Sequence, residues 1–455
     1  MISLEIFKAH WEKKFPNIPL QLTHFLIAIS GGIDSVVLTY LMHLAGAKFT
    51  LAHANFQLRG EESTRDEKFV TDYAGCLQAP LKCTKFETAA YAETYKMGIQ
   101  QAAREIRYAW FDRLIKEIQL EGQQNVYLLT AHHADDQIET ILMQLFRGTG
   151  LHGLTGIPEQ RNDILPVLRP LLPYTKLEIQ QFAKEYSLTF VEDSSNEKND
   201  YTRNLIRNKL IPPIKEIYPQ VIENVLDTIH RLKEAEAIVE ASVNEFWKKG
   251  LRIKKGIPTI SIAHWKKIKN NHTYTWGLIE KYGCKPAQIP EVYKLLDANN
   301  GAYLATATHR FIKFNDAIQL VANDTAKEHL MIPIGEGVLQ TKYGTLQIET
   351  IDKELIGEIN TSPTHAYLDA DILDFPLLVR SWQIMDYFYP LGMRKKKKLS
   401  HFLGSLKLSP AIKERVNVLT MGDKILWVVG QRIDDRFKVT NNTKWVLKII
   451  YQDSL

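Results

Sequence analysis

"HFLIAISGGIDSVVLTYL", residues 24–41, is the stretch that decides the fold. An apolar run stops at Ser30-Gly31-Gly32, and Ile33, Asp34 and Ser35 lead into a helix-patterned segment. A short buried strand, a glycine turn and a helix form the first half of a βαβ unit. Glycines at such a turn let the backbone approach a ligand and aim several N–H groups at one anion. The helix that follows adds its positive N-terminal end. Ser30 and Ser35 can donate hydroxyls to phosphate oxygens. Asp34 would repel a phosphate unless a cation lay between them, so it predicts Mg²⁺ or a catalytic duty. The plainer alternative is a tight turn with an Asp/Ser helix cap.

Working outward, strand and helix patterns alternate to residue 215. "FTLAHAN", "LKCTKFE" and "NVYLLTA" read as strands, and "LTFVED" as one more. "GIQQAAREIRYAWFDRLIKEI" and "DQIETILMQLF" read as helices, and "TKLEIQQFAKEY" opens with a capping box at Thr175–Glu178. This implies an α/β fold with a parallel, Rossmann-like sheet and helices on both faces. "VIENVLDTIHRLKEAEAIVEASVNEFW" reads as one unbroken helix leading out of that domain. We expect a catalytic domain over 1–215, a helix-rich middle domain over 216–330, a connector over 331–374 and a small mixed α/β basic domain over 375–455.

Composition is that of a globular chain: 455 residues, 45% hydrophobic and 24% charged. The start, "MISLEIFKAHWEKKF", lacks the apolar core of a signal peptide, and no apolar run is long enough to span a bilayer. A cytoplasmic protein without a membrane partner is expected. The three cysteines, Cys76, Cys83 and Cys284, form no CxxC pair, which argues against a thiolate metal site. Net charge is +5, but Phe375–Leu455 carries 15 Lys/Arg against 6 Asp/Glu, a balance of +9 that leaves the rest at −4. A basic terminal module implies a polyanionic partner.

The segment "TAHHADDQIETILMQLFRGTG" gathers His132, His133, Asp135, Asp136 and Glu139 where a strand meets a helix. In a doubly wound sheet that edge binds ligands. Asp136 and Glu139, three apart, can share a helix face. The cluster can ligate a metal or be an acid-rich helix start; the second explains the paired histidines poorly. A Walker loop is absent. Gly148–Gly153 matches GxGxxG but follows a helix, so it reads as a glycine loop and not as a dinucleotide site.

Taken together, these blocks resemble the N-type ATP pyrophosphatase (PP-loop) family, and within it the tRNA(Ile)-lysidine synthetase family. The resemblance rests on "SGGIDS", "QLRGEES" at 57–63, "AREIRY" at 103–108, "HHADDQIET" with "RGTG", "LRPLLPYTKLEI" at 168–179 and "EDSSNEKNDYTRNLIR" at 192–207. It resumes at "VRSWQIMDYFYPLGM", "KKLSHFL" and "VVGQRIDDRFKVT". It implies a ligase that adenylates the C2 oxygen of the wobble cytidine of a CAU-anticodon isoleucine tRNA, then joins L-lysine there. Pyrophosphate and AMP would leave, and the edited anticodon would read AUA.

The resemblance implies that Ser30, Gly31, Gly32, Ile33, Asp34, Ser35 and Arg104 bind ATP, with Asp34 on Mg²⁺. Asp34, Asp136, Glu139 and Arg203 would be catalytic. His133, Asp136, Glu139, Arg203 and Arg207 would meet substrate, with Arg107 a further phosphate candidate. In the tail, Arg394, Lys395, Lys396, Lys397 and Lys398 would dock the tRNA. Two departures stand out: Phe56 replaces a frequent second His, and Met385 replaces Gly before Asp386. The partners implied are tRNA and lysine, with room left for a homodimer. Thiolation enzymes share the loop but commonly use a cysteine pair, and Cys76 and Cys83 lie in no motif block. Amidotransferase-type synthetases need an ammonia source that is not found here. A non-catalytic RNA-binding protein would not need Asp34, Asp136 and Glu139.

Overall fold

A computed structural model describes residues 2–123, 125–162, 165–192, 202–323, 328–332 and 334–454. The chain forms two compact units, Met1–Ile238 and Val239–Leu455.

The first unit opens with α1 (Leu4–Lys14), β1 (His24–Ala28) and α2 (Ile33–Leu44). It continues through β2 (Lys48–Asn55), α3 (Glu61–Cys76), β3 (Leu81–Lys85), α4 (Thr88–Thr94) and α5 (Ile99–Leu120). Then come β4 (Val126–Leu129), α6 (Ala134–Arg147), α7 (Leu151–Leu154), β5 (Gln160–Arg161), β6 (Val167–Leu168) and α8 (Lys176–Glu185). The sheet order is β3-β2-β1-β4-β6-β5, parallel except for β5.

Alternation along β1 explains the layers. Phe25 and Ile27 pack with Trp11 of α1, Leu38 and Leu41 of α2, and Phe182 of α8. Leu26 points the other way, to Trp110, Leu114 and Ile118 of α5. Both faces are covered, so the strands read as continuous apolar runs. The chain leaves β1 toward β2 on one side, and β4 lies on the other. The crevice between the ends of β1 and β4 is therefore a topological switch point, the usual ligand position in such sheets.

The described part of "LTFVED" is not a strand. One ladder-like bond remains, from Val191 N–H to Gly31 O at 3.0 Å. Of the glycine motif at 148–153, residues 148–150 follow α6 and the rest falls within the single turn of α7. Residues 193–201 of the "EDSSNEKNDYTRNLIR" block lie outside the described residues. Beyond them, α9 (Thr202–Leu205) runs through a π-helical turn, Ile206–Leu210, into α10 (Ile211–Ile217). The expected long helix is α11 (Val221–Gly250).

In the second unit, helices at His272–Ile279 and Ile289–Leu296 accompany a five-stranded antiparallel sheet within 251–322. The helical periodicities of this region do not signal that sheet. Its strands are short, and Lys and Pro interrupt their apolar pattern. Residues 344–352 pair with 445–453 along nine positions. This joins the segment after 331 to the end of the chain in one sheet, beside a second sheet that contains Leu377–Ser381.

Candidate active site

The loop after β1 is held by its own side chains. Ser35 Oγ donates to Gly32 O at 2.9 Å, and the Ser30 and Gly32 N–H groups reach Ser35 Oγ and Ser30 Oγ at 3.2 and 3.3 Å. Ser35 is buried, so its hydroxyl serves the loop, whereas Ser30 is exposed. Gly31 adopts φ +90°, and a Cβ there would lie 2.8 Å from Val191 Cγ2. Glycine is required on both counts. Gly32 caps α2, so the N–H groups of Ile33, Asp34 and Ser35 begin the helix without intrahelical acceptors.

Across the crevice, β4 ends and α6 begins at His133. The His133 N–H donates to Asp136 Oδ2 at 2.9 Å, which fixes Asp136 in the first turn. One turn on, Glu139 is 1% exposed. Two buried carboxylates need cations, and α9 and the π-turn supply them. Arg203 donates from Nε to Glu139 Oε2 at 2.6 Å and from a terminal nitrogen to Asp136 Oδ1 at 2.9 Å. Arg207 donates to both Glu139 oxygens and lies 3.3 Å from Asp136 Oδ1. The wide π-turn carries Arg207 to the same carboxylates as Arg203.

The loop and the acidic block meet through Asp34. Its Oδ1 accepts from Lys176 Nζ at 2.6 Å, and its Oδ2 lies 3.9 Å from His133 Nε2. Asp135 faces the start of α8. It accepts from the Lys176 N–H at 2.8 Å and from Lys215 Nζ at 3.1 Å. Burial raises the Asp135 pKa, but His133, the Lys176 N–H and Lys215 outweigh it and hold the carboxyl far below its usual range. Asp136 behaves alike: burial is overcome by His133, Arg203 and His132. For His133, burial disfavours charge, yet Asp135, Asp136 and Asp34 together raise its pKa. Its Nδ1 is 3.7 Å from Asp135, beyond a hydrogen bond, so the effect is that of nearby charge. His132 goes the opposite way, down to about 4. Burial dominates, with Arg169, Arg203 and Arg107 adding repulsion.

Beside His132, arginines gather on Tyr108. Arg104, Arg107 and Arg161 stand 4.8, 5.7 and 5.6 Å from its ring centre. Among the described residues, the buried Nε atoms of Arg107 and Arg169 have no hydrogen-bond partner. Arg104 itself is exposed.

Sequence reasoning passes over Lys176, Lys215, Arg161, Arg169 and Tyr108. The Thr175 capping box is a usable signal for Lys176, because it puts that residue first in α8. Phe56, at the departure from the pattern, stacks on Phe86 at 5.9 Å. Arg394, Lys395, Lys396, Lys397 and Lys398 belong to the second unit, where Lys397–Lys398 pairs with Tyr387–Phe388. Phe388 is core, whereas Tyr387 is 46% exposed with Lys396 Nζ 5.2 Å from its ring. Met385 is exposed, and Asp386 keeps its turn, bonded to the Gln383 N–H and to Arg380.

The chain matches the PP-loop domain family over residues 5–214, the TilS substrate binding domain over 253–320 and the TilS substrate C-terminal domain over 377–449. It is 34% identical over 422 residues to a tRNA(Ile)-lysidine synthase of Parabacteroides distasonis, covering 93% of this chain and 94% of the relative. It belongs to the tRNA(Ile)-lysidine synthase family. A synthase of that name from Bacteroides thetaiotaomicron is 35% identical, covering 94% of each chain. Among solved structures, a U34-tRNA thiolase from Methanococcus maripaludis aligns at 16% identity with TM-score 0.41, covering 51% of this chain and 78% of that one. Within this synthase family, the crevice between Asp34 and Glu139 is the candidate active site.

Proposed function

We infer that this protein is an ATP-dependent ligase that joins L-lysine to the wobble cytidine of the CAU anticodon of tRNA(Ile). The observation that carries the reading is the set of paired charges at the switch point. Asp136 and Glu139, neutralised by Arg203 and Arg207, stand on the same sheet edge as the phosphate-type loop.

The free N–H groups at the start of α2 suit the pyrophosphate end of ATP. Asp34 suits Mg²⁺, which is commonly held by one or two carboxylates together with phosphate oxygens and water. It already bears a cation contact from Lys176. When bound, Mg²⁺ neutralises charge on the departing pyrophosphate. The Tyr108 arginines offer guanidinium groups to RNA or nucleotide phosphate. The cytidine C2 oxygen takes up AMP as pyrophosphate leaves. The lysine ε-amine then attacks C2 and AMP departs.

Free lysine reaches the enzyme as a cation and needs carboxylates. Asp136 and Glu139 provide them and share their oxygens with Arg203 and Arg207. The amine must lose a proton before it attacks, and one carboxylate of this pair accepts it. His133, whose three aspartate neighbours raise its pKa against the effect of burial, stands 3.9 Å from Asp34 and 3.7 Å from Asp136. The basic 394–398 hairpin binds tRNA phosphates.

The test measures pyrophosphate and AMP from ATP with an unmodified tRNA(Ile) transcript, with and without lysine. Lysine-dependent AMP release with lysine retained on the tRNA is expected. AMP release that ignores lysine but follows a sulfur donor would overturn the reading.

A further inference from the structure

The second unit contains a cleft that none of the sequence motifs lines. It lies on the face of the 251–322 sheet that is not packed in that unit's main core. Antiparallel pairing explains what lines it. Arg252 pairs with Thr259, and Thr259 with Gln319, so these three side chains form one row on one face. Phe314 pairs with Ala317, which pairs with Ser261, in the adjacent row. On the opposite face, Ile260, Ile318 and Leu320 build the core.

A short helix, Pro410–Glu414, covers part of the row-bearing face. Ala411 and Ile412 pack on Ile257 and Ile312. Arg310 clamps Glu414 with two bonds of 2.9 and 2.7 Å, and Arg415 donates to Lys255 O at 2.9 Å. What remains open is a cleft of ≈ 570 Å³ between the sheet and residues 407–412. That volume is within the roughly 300–1,000 Å³ of small-ligand sites.

Two independent features describe its ligand. At the rim, Arg252, Lys254, Lys255 and Lys407 stand against one carboxylate, Asp316, among the described lining residues. All four cations are exposed, and Arg252 donates only to the backbone oxygens of Lys248 and Leu251 among described contacts. At the floor, Gln319 is 7% exposed, and its side-chain oxygen is buried with no hydrogen-bond partner among the described residues. An unpaired buried amide oxygen is unfavourable unless a ligand donor satisfies it. Phe314, half-buried beside it, offers an aromatic face.

We propose that this cleft takes one unpaired nucleotide of the tRNA substrate, its base entering toward Gln319 and its phosphates lying on the Arg252–Lys254–Lys255–Lys407 rim. When the Gln319 amide turns its oxygen toward the cleft, the exocyclic amine or ring N–H of a base gives it the donor it lacks. Unpaired bases are how proteins read RNA, with aromatic stacking and edge hydrogen bonds. The inference rests on the tRNA-ligase reading above.

The experiment uses the full chain and a tRNA(Ile) transcript. Arg252→Ala/Lys254→Ala changes exposed residues and tests the rim without disturbing the core. We expect tRNA affinity to fall about tenfold at moderate salt. The slope of log affinity against log salt should become shallower by about 0.9 for each phosphate that is no longer neutralised. Gln319→Leu removes the acceptor at similar volume. It should raise the KM for tRNA by about five- to tenfold with kcat retained, the scale of one base-edge hydrogen bond. Ultraviolet crosslinking of bound tRNA should label the peptide containing Phe314. Wild-type affinity, salt slope and tRNA KM in both variants, with no label at Phe314, would overturn the proposal. Failure of the parent reading looks different: the wild-type protein itself would show no lysine-dependent AMP release.

Discussion

Lys176 Nζ lies 2.6 Å from Asp34 Oδ1 and ties the first residue of α8 to the first turn of α2. The pair sits beside the loop proposed to hold the triphosphate, and both side chains are partly exposed. An ammonium there offsets the Asp34 charge, and on the proposed reading it would turn to a phosphate oxygen if Mg²⁺ were held by Asp34. Lys176→Met should therefore raise the KM for ATP about tenfold, equivalent to roughly 1.4 kcal/mol of charge-assisted hydrogen bonding. Pyrophosphate release at saturating tRNA and lysine checks this. An unchanged KM would take Lys176 out of the phosphate site.

Glu139 is the more buried of the two acids and accepts from both Arg203 and Arg207. Glu139→Gln keeps the shape but removes the charge. Lysine transfer should fall at least about a hundredfold, the usual scale for removing an acid–base group. Stability should fall by about 1–3 kcal/mol, limited because both arginines are more than a third exposed and water screens them. Single-turnover lysine incorporation and urea midpoints measure the two effects. In an Arg203→Ala background the stability loss should shrink, because the residues share one network.

Much of this site is legible in the chain, for a physical reason. Strand-end blocks such as "SGGIDS" and "HHADDQIET" are contiguous, so neighbours in sequence stay neighbours in space. Helical spacing puts Asp136 and Glu139 on one face, and the structure closes Arg203 onto both. Pairings made across long loops are not legible. Lys176 reaches Asp34 over 142 residues, and no local pattern encodes that pairing. Arg107 and Arg169 converge near His132 only because the sheet order sets β4 beside β6. "LTFVED" has strand composition, but its described residues form no strand and keep one backbone bond, from Val191 to Gly31, because tertiary pairing decides such short segments. The cleft over Gln319 depends on the packing of two distant segments, and no local motif signals it.

The paired histidines should give the protein two opposed pH limbs. The His132 pKa falls to about 4 in the folded state, so its contribution is present above the unfolded value near 6.5 and is lost as pH falls toward 4. The His133 pKa is raised, so its contribution is full below about 6.5 and is lost as pH rises through the folded value. His132→Asn should flatten the acid limb of a plot of urea midpoint against pH, and His133→Asn the alkaline limb. Identical pH profiles in all three proteins would show that neither proton is linked to folding.

Gly31 offers a test of the loop that leaves every charged group intact. Its φ of +90° and the 2.8 Å approach to Val191 Cγ2 make a Cβ both strained and crowded. Gly31→Ala should destabilise the protein by about 1–3 kcal/mol. It should also weaken ATP binding, because the loop must shift away from Val191 to make room. Isothermal titration with ATP and Mg²⁺, beside thermal melts, reads both. Full ATP affinity together with a lowered melting temperature would mean that the loop's shape matters to folding but not to the nucleotide.

The Arg394–Lys398 hairpin should contribute phosphate affinity and little else. Lys396 and Lys397 lie over the Tyr387 and Phe402 rings, which hold the strand while most of its charge faces water. Replacing Arg394, Lys395 and Lys396 with alanine removes three exposed cations and no core atom. If each meets one phosphate, the slope of log affinity against log salt should become shallower by about 2 to 3. At low salt the variant should approach wild-type kcat, because the role proposed for these cations is phosphate affinity alone. A kcat that stays low at saturating tRNA would mean that these residues also set how the anticodon meets the crevice.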